Sequence, residues 1–198
     1  MKDLLILAAD GTEEVECLMI LDFARRAGLT VDLASIEAER KIRSSHGVVI
    51  DCDARLAELD PADYRALFCP GGLPGAKTIS ESPQVQDLVK QFHLDGRYVF
   101  AVCAGPLILK TCGLSASMAG TCYPSFKDEL GFSQYHDVSL VRDANVITAQ
   151  GLAATPALGA YIVEILADRE RAETVSKAVL WPDLLSDAHR KSSLHIES

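Results

Sequence analysis

Arg97-Tyr98-Val99-Phe100-Ala101-Val102-Cys103-Ala104-Gly105-Pro106 is an apolar, β-branched and aromatic run that stops at a cysteine, then opens into a helix through small residues and a proline. Proline is favoured in a first helical turn, where its missing N–H would lack a partner anyway. A buried strand feeding directly into a helix is the repeating unit of a parallel α/β sheet. A thiol on that turn sits beside unpaired backbone N–H groups and the positive end of the helix dipole, which favours thiolate, its reactive form. Cys103 is the candidate nucleophile.

The same alternation extends outward from this turn. Upstream, Leu4 to Ala9 reads as a buried strand, Glu13 to Ala27 as a helix stopped by Gly28, and Leu29 to Ile36 as a second strand. Val48-Val49-Ile50 fits a short extra strand and Ala66-Leu67-Phe68-Cys69 another. Ser82-Pro83 starts a helix toward His93, with serine as cap and proline in the first turn. Downstream come a short helix from Pro106 to Cys112, strands at Ser139 to Val141 and Asn145 to Ala149, and helices from Thr155 to Ala167 and Arg171 to Leu180. The pattern predicts an α/β fold with a mostly parallel sheet and helices on both faces, one domain over residues 1–182, then a polar C-terminal tail over 183–198.

The 198 residues suffice for one domain with a real core, and 48% hydrophobic with 24% charged residues is ordinary globular composition. A formal charge of -9 speaks against nucleic-acid binding, which needs a basic face. No stretch approaches the roughly 18 apolar residues of a membrane span, so no membrane partner is expected. The six cysteines form no C-x-x-C pair; no metal is expected, most of them read as small core hydrophobes, and the protein reads as reduced and cytoplasmic.

Ligands of open parallel sheets bind beyond the carboxyl ends of the strands. Three distinctive loops follow strands directly: Asp10 to Glu16, Pro70-Gly71-Gly72-Leu73-Pro74-Gly75, and the Cys103 turn. A carboxylate, a glycine-rich backbone and a thiol are thus predicted to meet on one edge. Glu13 and Glu14 read as complements to the helix dipole. Glu16 should face inward, where a carboxyl must pair or hold its proton. Gly71 and Gly72 read either as a tight turn or as backbone donors to a reacting oxygen.

Together Ala8-Ala9-Asp10-Gly11-Thr12-Glu13-Glu14-Val15-Glu16, Arg25-Arg26-Ala27-Gly28, Pro70-Gly71-Gly72, Ser80-Glu81-Ser82, Val102-Cys103-Ala104-Gly105-Pro106 and Thr148-Ala149-Gln150-Gly151 resemble the ThiJ/PfpI superfamily, in its Parkinson disease protein 7 branch. The resemblance implies a flavodoxin-like three-layer sandwich of the class I glutamine amidotransferase kind, usually a homodimer, with Asp22 and Arg26 as interface candidates. It implies Cys103 as nucleophile, Glu16 as its protonated partner, and Gly72 and Ala104, beside Gly71, as the oxyanion hole. The activity implied is that of a glutathione-independent glyoxalase III or deglycase acting on small α-ketoaldehydes or their adducts. A redox-responsive chaperone that oxidises Cys103 is the alternative, and a cysteine peptidase or amidase a second one. No cofactor is implied. Tyr123, His46 and Arg26 are candidate pocket residues. Tyr123 stands where many members carry histidine. His46, where an arginine is usual, is either an anion or acid–base group or a surface turn residue.

A free cysteine has a pKa of about 8.5, so near-full ionisation at neutral pH needs a shift of roughly three units, about 4 kcal/mol. A helix terminus contributes about 0.3–2 kcal/mol, so a second term is required. A neutral Glu16 donating O–H to sulfur supplies it, whereas an ionised Glu16 opposes it.

Overall fold

Alternate residues of one strand feed two separate cores. In β1 (Lys2–Ala8), Leu4, Ile6 and Ala8 enter one cluster, while Leu5 and Leu7 enter the other, because successive side chains leave opposite faces of a sheet. The structure is a computed structural model that describes residues 1–181 and 193–196.

In chain order α1 is Glu14–Arg26, β2 Val31–Ser35, β3 Lys41–Arg43, β4 Val49–Asp51, β5 Ala54–Arg55, β6 Tyr64–Cys69, α2 Gly75–Glu81, α3 Pro83–Leu94 and β7 Tyr98–Val102. There follow α4 Leu107–Thr111, β8 Ala119–Gly120, α5 Lys127–Leu130, β9 Gln134–Tyr135, β10 Leu140–Asp143, β11 Val146–Ala149, α6 Thr155–Leu166, α7 Arg169–Ala178 and β12 Ser193–Ile196. The main sheet runs β12-β10-β11-β7-β6-β1-β2-β5 and is parallel except between β10 and β11. One core lies beneath α1, α6 and α7, the other beneath α2, α3 and α4. This is the mostly parallel, three-layer α/β sandwich that the sequence implied.

Some expectations change. The strand expected at Val48–Ile50 is β4, which pairs only with β3 in a separate hairpin, because its residues alternate between exposed and buried. The segment after Gly75 is a helix, α2, although neither a side-chain cap nor an acidic first turn marks its start. The expected polar tail is corrected at Ser193–Ile196, which pairs in parallel with β10 as the sheet edge. Leu194 and Ile196 alternate with Ser193 and His195, a period of two too short to stand out in polar surroundings. The rest of 183–198, and Pro182, lie outside the described residues. No described helix is long and apolar enough to cross a membrane. Cys17, Cys52, Cys69 and Cys122 are buried, Cys103 and Cys112 partly so, and all six are free thiols.

Candidate active site

β1, β6 and β7 are adjacent and parallel, so the loops that follow them emerge side by side. Cys103, the first residue after β7, has φ 61°. A left-handed conformation costs a residue with a Cβ roughly 1–2 kcal/mol and persists only where surrounding bonds hold it. Two do: Cys103 N–H donates to the Ala149 carbonyl at 3.0 Å, and Tyr123 N–H donates to the Cys103 carbonyl at 3.0 Å. The reversal lifts Sγ toward the β6 loop, where the N–H groups of Ala104 and Gly72 act on it to favour its ionised form. α4 begins only at Leu107 and is five residues long. The expected helix-dipole contribution is therefore smaller than the sequence suggested, and discrete N–H donors take its place.

Glu16, in the first turn of α1, is fully buried. Its Oε2 accepts the Gly71 N–H at 2.9 Å, its Oε1 is buried with no hydrogen-bond partner, and the carboxyl lies against the Cys103 thiol. Gly71 packs against both groups. A Cβ there would fall 2.5 Å from Glu16 Oε2 and 2.7 Å from Cys103 Cβ, so a larger residue forces these neighbours to shift. Gly72 has φ 88°, and a Cβ on it would fall 2.2 Å from the Glu13 nitrogen.

Burial pushes the Glu16 carboxyl up to about 7, and the nearby Glu13 charge adds to this against the Gly71 N–H, which works downward. Burial and the Glu16 charge push the Cys103 thiol up to about 12, against the lowering effect of the Ala104 and Gly72 N–H groups. Each group acts on the ionisation of the other, so the two titrate as a pair and not independently. In the neutral range the pair carries at most one charge. At neutral pH the two groups therefore share one proton.

The remaining candidates divide. Tyr123 borders the site through its backbone bond to Cys103, and its half-exposed ring faces Gly151. His46 lies in the hairpin loop beside the α1 N-terminus, largely exposed, with Nδ1 3.1 Å from Glu14 Oε1. Burial works upward on Glu14, but its own N–H, Ser44, His46 and Ser45 outweigh it and hold the carboxyl near 2. Arg26 is corrected. It sits ten residues beyond Glu16 on α1, about 15 Å along the helix, and pairs with Asp22 at 2.6 Å on the surface. Glu13, Glu14 and His46 bring ligand-type atoms within 4.8 Å of one another. However, Glu13 Oε2 is already engaged by the Glu16 N–H at 2.6 Å. That cap escaped the sequence reading, because glutamate is not among the preferred capping residues. Its only signal was the three-residue spacing from Glu13 to Glu16.

The DJ-1/PfpI family model matches residues 2–165. The chain is 33% identical over 181 residues to Protein dj-1beta of Drosophila melanogaster, covering 90% of this chain and 97% of that protein. It is 30% identical over 187 residues to Glutathione-independent glyoxalase DJ-1 of Schizosaccharomyces pombe, covering 89% and 97%. Among solved structures, oxidized Toxoplasma gondii DJ-1 superposes with a TM-score of 0.87 at 27% identity, covering 92% of this chain and all of that one.

Proposed function

The chain belongs to the DJ-1/PfpI family, and from that premise we propose that it is a cysteine-dependent, glutathione-independent glyoxalase or deglycase acting on small α-ketoaldehydes or their early adducts. One observation carries the reading: Glu16 Oε1 is buried without a partner beside a thiol whose ionised form the Ala104 and Gly72 N–H groups favour. A buried carboxylate oxygen left bare is costly, and a proton on it, donated to sulfur, removes the cost. With that proton the sulfur gains a donor from Glu16 beside the Gly72 and Ala104 N–H groups, whereas an ionised Glu16 would have the Gly71 N–H and the Cys103 thiol. The single charge of the pair therefore sits on sulfur.

The Cys103 thiolate attacks the aldehyde carbon, forming a C–S bond and an oxyanion that the Gly72 and Ala104 N–H groups hold. Glu16 protonates that oxygen, then as carboxylate takes the proton from the former aldehyde carbon and returns it to the adjacent ketone carbon, while the hydroxyl proton passes to the former ketone oxygen and leaves a thioester carbonyl. The aldehyde carbon is thereby oxidised and the ketone carbon reduced within one molecule, so no external oxidant is needed. Water hydrolyses the resulting thioester, releasing the hydroxy acid and regenerating the thiolate. Cys103→Ala should abolish methylglyoxal turnover, and Glu16→Gln should lower kcat by roughly 10²–10⁴-fold, the range of general acid–base catalysis. Full activity in Cys103→Ala overturns the assignment.

The second reading, a peroxide-sensing redox protein, is favoured by the partial exposure of Cys103 and by the oxidized state named for the Toxoplasma gondii relative. The same donors would hold a sulfinate, and mass spectrometry after mild peroxide, set beside lactate production, separates the two. The peptidase or amidase reading wants an imidazole on sulfur, whereas the groups that raise or lower the Cys103 thiol are a carboxyl and two backbone N–H groups. We take residues 1–182 as one domain of a cytoplasmic homodimer. The dimer is supported by an apolar groove on α1, where exposed Val15, Leu18 and Val48 surround Met19 and Val179.

A further inference from the structure

Three hydrogen bonds at the N-terminus of α1 close into a ring. Glu13 N–H donates to the Gly71 carbonyl at 2.9 Å, Gly71 N–H donates to Glu16 Oε2 at 2.9 Å, and Glu16 N–H donates back to Glu13 Oε2 at 2.6 Å. The ring joins the β1 loop to the β6 loop, and its Gly71 corner packs against both Glu16 and Cys103. We infer that Glu13 is a positioning residue for the thiol: its cap bond fixes the Glu16 carboxyl against sulfur, and its negative charge makes a second charge on Glu16 unfavourable. The inference rests on the shared-proton reading above and assigns Glu13 a part in it that helix capping alone does not require.

The surroundings of Glu13 suit this part. It is 9% exposed, so its charge is poorly screened by water. On the solvent side it faces His46, whose Nδ1 lies 4.0 Å from Glu13 Oε1, with Glu14 alongside. On the inner side are Glu16 and the Cys17 thiol, and the Glu13 charge works against ionisation of both. Any anion formed in the pair is thereby directed away from Glu16 and onto Cys103.

The test uses Glu13→Gln, which keeps a carbonyl acceptor for the Glu16 N–H while removing the charge. In a Cys103→Ala background Glu16 titrates alone, and its labelled carboxyl carbon can be followed by NMR. Adding Glu13→Gln should lower the Glu16 midpoint by roughly half a pH unit or more, the lower end of what a charged neighbour does. In the otherwise wild-type chain, Glu13→Gln should slow alkylation of Cys103 at neutral pH by a factor of roughly three or more, the same half unit expressed as a rate. Glu13→Ala, which also breaks the ring, should be slower still and lower the melting temperature. An unmoved Glu16 midpoint overturns the inference and leaves the proposed function standing. An unreactive Cys103 in the unaltered protein overturns both.

Discussion

A cysteine at φ 61°, a buried acid and a glycine too crowded for a methyl group share one small volume. Gly71→Ala puts a methyl group within 2.5 Å of Glu16 Oε2. It should cost about 1–3 kcal/mol of stability, as overpacking does, and should push the acid away from sulfur, so that neutral-pH alkylation of Cys103 falls together with the denaturation midpoint. Retained alkylation would show that the acid does not activate the thiol. Cys103 and Glu16 were legible because each breaks a local rule: a thiol ends an apolar strand, and a carboxylate occupies the inward face of a helix. That their loops meet was expected, but the backbone contact that ties the acid in place was not legible. It runs through the backbone of Gly71, and no spacing in the chain encodes which amide a folded loop presents. Arg26 misled for a related reason, since a motif residue can match a family and still lie at the far end of its helix.

At the scale of elements, α1 serves two faces. Its N-terminus carries Glu13 and Glu16 into the site, while Val15 and Leu18 stand exposed beside Val48. If that groove seats a second copy, Leu18→Glu places a charge in an apolar contact and should shift the protein toward monomer by sedimentation. An unchanged oligomer would locate the interface elsewhere. Buried strands such as β1, β6 and β7 were read closely from sequence, since both of their faces demand apolar residues. α2 and β12 were not, because neither has enough apolar length or capping chemistry to separate it from a loop. α3 was, with Ser82 accepting the Val85 N–H and Pro83 at its start.

For the whole molecule, the Glu16–Cys103 pair ties stability to pH. The Glu16 carboxyl is raised from 4.5 to about 7 by burial in the folded protein. A raised value means that the folded chain holds the proton more tightly, so the contribution is complete below about 4.5 and is lost as pH climbs toward 7. At about 1.36 kcal/mol per unit the loss amounts to about 3 kcal/mol. Urea denaturation should show the wild type weakening over that window relative to Glu16→Gln, and parallel curves for the two proteins would contradict the burial argument. The three-layer architecture itself was legible from the alternation of apolar strands with capped helices. What escaped was where short pieces pair, β3 with β4 in their own hairpin and β12 at the edge, since register beyond the core depends on contacts distant in sequence.

The proposed mechanism depends on a protonated Glu16 and two backbone amides that leave the charge on the Cys103 sulfur. Ultraviolet absorbance of the thiolate, taken as the difference between wild type and Cys103→Ala, measures it directly. The midpoint should lie near or below about 7, well under the free value of about 8.5. A midpoint of about 8 or higher would mean that the proton rests on sulfur and the charge on the carboxyl, which contradicts it.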